Sequence, residues 1–152
     1  MRVLGVDPGT VATGWGVVDG IGERARFVSG GVIRPRGTLP QRLAAIHREI
    51  TAIIVAHLPN CLSLEKSFVG DNVQTAFRLG EARGAILVAA ASADIGIAEY
   101  SPAEIKLAVA GSGRATKEQM QQMVAHILGV APELPSDEAD ALGAGICHLH
   151  SH

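Results

Sequence analysis

Residues 3–20 read VLGVDPGTVATGWGVVDG, and this stretch decides the fold class. The apolar run at 3–6 stops at Asp7-Pro8-Gly9, which predicts a short strand closed by a turn. Residues 13–19 predict a second strand, and residues 27–33 predict a third strand after the glycine turn at 20–22. Because the connections between these strands are short, the three are expected to form an antiparallel meander.

Helix and strand patterns alternate after the meander. Residues 41–57 carry apolar side chains at a helical period, and residues 61–65 predict a fourth strand. A long helix is expected at 72–92 and a fifth strand at 97–100. Three more helices are expected to start after Ser101, near Thr116 and at Pro135-Ser136. Strands separated by helices form right-handed parallel crossovers, so the predicted class is α/β, with a five-stranded mixed sheet flanked by helices.

Length and composition limit what kind of protein this is. A chain of 152 residues with 47% apolar residues suits one folded domain spanning 1–152 and excludes a disordered chain. No apolar run reaches membrane-spanning length, so no membrane partner is expected. The two cysteines, Cys61 and Cys147, have no paired-ligand spacing, and no signal peptide precedes the first strand. These features predict a cytoplasmic protein.

Charge is distributed unevenly along the chain. The net charge is −2, which does not by itself indicate a nucleic-acid binder. However, residues 24–48 contain six arginines and no acid, and residues 118–152 contain five acids and no lysine or arginine. This separation is compatible with an anionic ligand on one side and cations on the other, or with two ordinary solvated faces.

Four acids fall at the ends of predicted elements. Asp7 ends the first strand and Glu65 ends the fourth, so both would lie at the same carboxyl edge if those strands are parallel neighbours. Asp137 and Asp140 are three residues apart at the start of the last helix and therefore share a face. Four converging carboxylates would repel one another, and two divalent cations would relieve that repulsion. Hard oxygen ligands favour Mg²⁺ or Mn²⁺, and such an ion pair hydrolyses phosphodiesters.

Each acid also has a simpler interpretation. Asp7 could belong only to a turn, and Glu65 could be a solvated acid at a strand end. Asp137 and Asp140 could be there only because acids stabilise a helix amino terminus. These interpretations leave unexplained why all four acids fall where the predicted sheet would bring them together.

Several segments resemble the RuvC family of Holliday junction resolvases, and they cover essentially the whole chain in order. They are LGVDPGT at 4–10, LEKSF at 64–68, NVQTAFRLGEARG at 72–84, EYSP at 99–102, VAGSG at 109–113 and PSDEADAL at 135–142. The resemblance implies a ribonuclease-H-like fold and a homodimer. It also implies paired, metal-dependent nicks in opposing strands of a four-way DNA junction, leaving 5′-phosphate ends, during recombination and repair.

The resemblance also implies roles for individual residues. Asp7, Glu65, Asp137 and Asp140 would be the catalytic metal ligands, holding two Mg²⁺ or Mn²⁺ ions per active site; some relatives carry histidine where this chain has Asp137. The expected DNA contacts are Phe68, Arg78, Lys106, Arg114 and Lys117. The alternatives are that Phe68 packs beneath the next helix and that Lys106 and Lys117 are solvated helix residues. The RuvA–RuvB branch-migration complex is an expected partner.

The histidines at the end of the chain and two glycines in the helix at 72–92 lead to further predictions. His148, His150 and His152 alternate at the end of the chain, where a frayed terminus is expected and a metal site is the alternative. Gly80 and Gly84 lie four residues apart on the helix at 72–92, which the resemblance implies is part of the dimer interface. Packing within the chain is the other interpretation of these two glycines.

Three other functions stay open at this point. A related ribonuclease-H-like nuclease and a non-catalytic junction-binding subunit are the alternatives within the same fold. A sugar-kinase or actin-like ATPase shares the Asp7-Pro8-Gly9-Thr10 type of turn, but such enzymes need two lobes of this kind.

Overall fold

The computed structural model describes residues 1–66 and 72–152. Its elements follow the predicted order, with ends that differ by three residues or fewer. They are β1 (Arg2–Asp7), β2 (Thr13–Ile21), β3 (Arg24–Ile33), α1 (Leu39–His57), β4 (Cys61–Glu65), α2 (Val73–Ser92), β5 (Gly96–Tyr100), α3 (Pro102–Ala110), α4 (Lys117–Leu128) and α5 (Ser136–His150).

The five strands form one mixed sheet in the order β3-β2-β1-β4-β5. β1 to β3 form the predicted antiparallel meander, while β4 pairs parallel with both β1 and β5. Val6 of β1 is in register with Leu64 of β4, so Asp7 and Glu65 follow at the same edge. The predicted parallel pairing of the first and fourth strands is therefore confirmed.

Side chains on β1 and β4 alternate between two cores. Leu4, Val6, Leu62 and Leu64 pack with α1 and α2 on one face of the sheet. Val3 packs with α3, α4 and α5 on the opposite face. Since a strand turns successive side chains to opposite faces, Asp7 and Glu65 lie on the face covered by α5.

Helix α5 lies unusually close to the sheet because glycines replace side chains beneath it. A Cβ on Gly5 would come within 1.9 Å of the Ala141 carbonyl oxygen, and one on Gly14 within 1.9 Å of the Asp137 carbonyl oxygen. Most of α5 is consequently buried. These two close approaches bring the first turns of α5 over the strand ends.

A buried hydroxyl also ties α5 to the centre of the sheet. Ser63 Oγ donates a hydrogen bond of 2.8 Å to the Ala144 carbonyl oxygen. We expect Ser63→Ala to lower the free energy of unfolding by about 1 kcal/mol, the net value of such a bond. Urea denaturation would measure this, with Ser92→Ala, at an exposed position, as the control. A loss no greater than that of the control would contradict this role for the Ser63 hydroxyl.

The chain end is ordered into the fold, so the prediction of a frayed histidine terminus is wrong. Helix α5 continues to His150, and His148 is buried with its Nδ1 2.6 Å from Tyr100 Oη. The His148 and His152 rings lie 4.2 Å apart, and His150 Nδ1 lies 3.0 Å from the Ala108 carbonyl oxygen. Contacts with β5 and α3, which the local sequence does not reveal, hold these histidines in place.

Among the helices of the described residues, none is long and apolar enough to cross a membrane.

Candidate active site

The first two acids are placed by the parallel strand pair at the centre of the sheet. Asp7 is the last residue of β1 and pairs with Gly14 of β2, while Glu65 is the last residue of β4. Both are partly buried. The carboxyl edge of a parallel pair is where α/β sheets bind ligands, and the α5 side of this edge carries both carboxyl groups.

The other two acids come from the first turns of α5. Asp137 and Asp140 lie above Asp7 because Gly14 lets the backbone of Asp137 approach β2 closely. The Asp137 side chain also raises the pKa of Asp7, which indicates that these two carboxyl groups are neighbours. The structure therefore places the four predicted acids at the same edge of the sheet.

Burial and neighbouring negative charges raise the pKa of three of these carboxyl groups. The pKa of Asp7 is raised to about 8, first by burial and then by the negative charges of Asp140, Asp137 and Glu65. Burial followed by Asp140 raises the pKa of Glu65. Burial also raises the pKa of Asp140, which Asp137 raises further. The like-charge repulsion expected from the sequence is present.

Two lysines lie on the wall of the same cleft. The cleft has a volume of about 230 Å³ and is lined by Glu65, Pro102, Ile105, Lys106, Lys117, Met120 and Asp140. Lys117 Nζ lies 3.7 Å from Asp140 Oδ2. Lys106 and Lys117 both counteract the rise in the pKa of Glu65. The cleft thus combines carboxylates with cations that could face a phosphate.

The donor set suits a hard divalent cation. All four acids supply carboxylate oxygens, and a cation would relieve the repulsion that raises the pKa of Asp7. Yet across residues 1–66 and 72–152, no group of three or more His, Cys, Asp and Glu side chains is gathered closely enough to hold a metal ion as it stands. One of the four carboxyl groups, that of Asp140, is engaged in an ion pair with Lys117. A side-chain rotation suffices to redirect a carboxylate oxygen toward a cation.

Arg83 is a positioning residue that the sequence reasoning missed. Its Nη1 donates a 2.9 Å hydrogen bond to the Glu65 carbonyl oxygen, and its Nη2 pairs with Glu99 on β5. The Lys66 amide also donates to the Tyr100 carbonyl oxygen at 2.7 Å. One guanidinium on α2 therefore anchors the ends of both strands. The sign of this role is weak: Arg83 directly follows Ala82, which is buried in the structure.

For the junction cleavage that the sequence resemblance implies, we expect Arg83→Lys to reduce the rate about tenfold at a saturating concentration of junction DNA, with junction affinity little changed. A single ammonium cannot span both acceptors, so the end of β4 should loosen and Glu65 should lose its position. Single-turnover cleavage and binding titrations would separate the two effects. Arg26→Lys, at an ion pair with Asp19 remote from the cleft, is the matched control. A fall in affinity with an unchanged cleavage rate would contradict a positioning role.

The predicted DNA contacts occupy different places. Lys106 and Lys117 line the cleft, whereas Arg114 is exposed in the loop between α3 and α4. Arg78 is exposed on α2 and forms an ion pair of 2.7 Å with Glu81. Phe68 lies outside the described residues. The structure thus places two of these five predicted contacts beside the acids.

Among known proteins, this chain is similar to crossover junction endodeoxyribonucleases. Residues 3–148 match the family described as "Crossover junction endodeoxyribonuclease RuvC". The protein of that name from Burkholderia thailandensis is 46% identical over 151 residues, which cover 99% of this chain and 84% of the relative. The chain also superimposes on "T. thermophilus RuvC in complex with Holliday junction substrate" with a TM-score of 0.93. That pair is 35% identical, covering 97% of this chain and 92% of the other.

A more distant structure shares the architecture. "Crystal Structure of the Yeast Mitochondrial Holliday Junction Resolvase, Ydc2" matches with a TM-score of 0.72 at 12% identity, covering 97% of this chain and 77% of the other. At that identity the likeness concerns the fold alone. Together with the five-stranded mixed sheet, these matches confirm the predicted ribonuclease-H-like fold.

Proposed function

The chain belongs to the RuvC family of crossover junction endodeoxyribonucleases, and from that premise we propose how its residues cut DNA. It is a Holliday junction endonuclease, acting in recombination and repair as its family does. This membership removes the ATPase alternative. The observation that carries the mechanism is the convergence of four carboxyl groups, with two lysines on the same cleft wall.

We assign Asp7, Glu65, Asp137 and Asp140 as the residues that would hold two Mg²⁺ or Mn²⁺ ions. Bound there, such ions would activate the attacking water and stabilise the leaving 3′ oxygen of the phosphodiester. The acid at 137 fits this set because it lies in the first turn of α5 and its charge raises the pKa of Asp7. Four carboxylates alone would repel a DNA phosphate, so binding of substrate requires compensating positive charge.

We assign that positive charge in part to Lys106 and Lys117. Both line the cleft that Glu65 and Asp140 also line, so they can orient the scissile phosphate beside the carboxylates. Lys117 would exchange its ion pair with Asp140 for a phosphate oxygen. Arg78, Arg114 and Phe68 are proposed as DNA contacts on the family resemblance, with an aromatic ring suited to support an unstacked base.

We propose that the protein acts as a homodimer and that α2 contributes to the interface. Val73 and Phe77 on this helix are exposed, and they border an apolar groove of about 490 Å³ with Gly80. A Cβ at Gly80 or Gly84 would meet nothing within 4 Å in the described part of the chain. These two glycines therefore leave room for a second helix. A two-fold dimer would place two active sites on opposing strands of a nearly two-fold junction.

Three further assignments rest on the family resemblance. We propose that residues 1–152 form a single nuclease domain and that the protein works in the cytoplasm. We also propose that it cooperates with the RuvA–RuvB branch-migration complex.

Cleavage of synthetic four-way junctions tests the proposal. One junction with a mobile core and one with an immobile core are incubated with Mg²⁺, Mn²⁺ or EDTA, and linear duplex is the control. The expected result is paired nicks in opposing strands, with 5′-phosphate ends that a ligase reseals, only when a divalent ion is present. Binding of both junctions without cleavage in either metal would indicate a non-catalytic binding subunit instead.

A further inference from the structure

Three arginines between β3 and the middle of α1 form a basic surface that the assigned chemistry does not use. Arg34 and Arg36 lie in the segment before α1, and Arg48 lies on α1; all three are exposed. We call these three residues the β3–α1 basic surface. They line a groove of about 480 Å³ together with Pro35, Gln41, Ala44, Ala45 and Glu49.

Within residues 1–66 and 72–152, no ion pair neutralises the charge of this surface. Four other arginines form ion pairs with carboxylates: Arg2 and Arg26 with Asp19, Arg78 with Glu81, and Arg83 with Glu99. Over the described ranges, Arg34, Arg36 and Arg48 form no salt bridge. Glu49 lines the same groove, but it is not within ion-pair distance of any of the three in that part of the chain. The surface therefore offers a net positive charge to an external anion.

The surface is held in a fixed position relative to the active site. Arg42 donates through Nε to the Gly37 carbonyl oxygen at 2.9 Å and through Nη1 to the Thr10 carbonyl oxygen at 3.3 Å. Thr38 and Gln41 close the amino end of α1 with a reciprocal capping box. These contacts connect the segment that carries Arg34 and Arg36 to the turn that follows Asp7.

The sheet places the part of this surface that carries Arg34 and Arg36 at the same edge as the carboxylates. Asp7 pairs with Gly14, and Gly14 pairs with Val32, so β3 ends two strand spacings from Asp7. Two spacings are roughly 10 Å, and Arg34 and Arg36 continue outward from there. Successive nucleotides rise about 3.4 Å along a strand, so a backbone entering the cleft would pass this surface a few nucleotides away from the scissile bond.

We propose that the β3–α1 basic surface binds the phosphate backbone of the duplex arm that carries the cleaved strand. This inference rests on the proposed junction cleavage and adds a second contact region to it. Guanidinium groups suit phosphate oxygens because they donate two parallel hydrogen bonds. Such contacts set the position of the duplex without reading its sequence.

Salt-dependent binding of a four-way junction in EDTA tests the proposal. The variants are Arg34→Gln combined with Arg36→Gln, and Arg48→Gln alone. Arg24→Gln is the matched control, because Arg24 is exposed at the opposite end of β3. Each arginine lost from the surface should weaken binding roughly threefold to tenfold at moderate salt. It should also reduce the slope of log K against log salt by about 1.

Phosphate ethylation interference gives an independent readout. Ethylation a few nucleotides from the cut should weaken binding of the unsubstituted protein, and this effect should disappear in the arginine variants. If those variants match the Arg24 control in affinity and slope, the proposal is overturned. The same holds if affinity falls while the interference pattern stays unchanged, because the effect is then only long-range charge. If the unsubstituted protein does not bind the junction at all, it is the proposed function that fails.

Discussion

Asp7→Asn should abolish junction cleavage while junction binding is retained. The amide keeps the size of the side chain but removes one charged ligand oxygen from the centre of the four acids. Each loss of about 1.4 kcal/mol of transition-state stabilisation is a tenfold loss in rate, so we expect the rate to fall by at least about 10³-fold. Binding should be equal or tighter, because repulsion of the scissile phosphate decreases.

Single-turnover cleavage in Mg²⁺ and junction titration in EDTA measure the two effects. Asp94→Asn is the matched control, since it makes the same chemical change at an exposed residue beyond the end of α2. Cleavage by Asp7→Asn within tenfold of the unsubstituted rate would remove Asp7 from the assigned ligand set.

The same substitution should raise thermal stability when divalent ions are chelated. The folded protein holds the pKa of Asp7 at about 8, above its ordinary value of 3.8. The protonated acid therefore contributes stability that is fully present below pH 4 and is lost as the pH rises through about 8. An asparagine does not titrate, so the gain in Tm should be near zero at pH 4 and largest at pH 8 and above.

We expect that gain to be about 5 °C at pH 8 in EDTA, which corresponds to one or two kcal/mol in a chain of this size. Differential scanning calorimetry between pH 4 and pH 9 would measure it. Saturating Mg²⁺ should reduce the difference, because the cation stabilises the carboxylate form. If the variant is less stable than the unsubstituted protein at pH 8 in EDTA, repulsion among the carboxylates does not determine the stability of this site.

The positions of Asp7 and Glu65 could be predicted because they depend on short-range patterns. An apolar run that ends in Asp-Pro-Gly identifies a strand end, and the βαβ rule brings the strands at 3–6 and 61–65 together. The start of α5 could likewise be predicted from Pro135-Ser136 and the acids that follow. The strand ends that carry Asp7 and Glu65 and the start of α5 can each be recognised from the few residues around them.

Contacts across elements could not be predicted in the same way. Arg83 anchors the end of β4 and Lys117 pairs with Asp140, but both contacts depend on how the helices pack against the sheet. His148 was expected to fray because its neighbours in sequence are histidines and a terminus. Its actual partner is Tyr100, which lies 48 residues away. These contacts form by packing between residues that are far apart in the chain, and no local sequence pattern indicates them.

The second prediction with a large expected effect is a substitution of Gly14. The contact between Gly14 and the backbone of α5 supports both the stability of the fold and the position of the acids. A Cβ on Gly14 would lie 1.9 Å from the Asp137 carbonyl oxygen and 2.2 Å from its carbonyl carbon. Both are backbone atoms of α5, so no side-chain rotation relieves the overlap. Gly14→Ala should force the first turn of α5 away from the sheet. It should lower the free energy of unfolding by about 3 kcal/mol or more.

Cleavage should be lost as well, even at temperatures where the Gly14→Ala variant is folded. Lifting α5 separates Asp137 from Asp7, because the close contact of Gly14 with the Asp137 backbone holds this turn of α5 against the sheet. Gly143→Ala is the matched control on the other face of α5, where a Cβ would meet only side-chain atoms at 3.6–3.9 Å. That control should be as stable as the unsubstituted protein or up to about 1 kcal/mol more stable, because alanine favours a helix interior. Circular dichroism melts and junction cleavage at 25 °C would distinguish the two variants. If Gly14→Ala melts and cuts like the unsubstituted protein, the close approach of α5 does not position the acids.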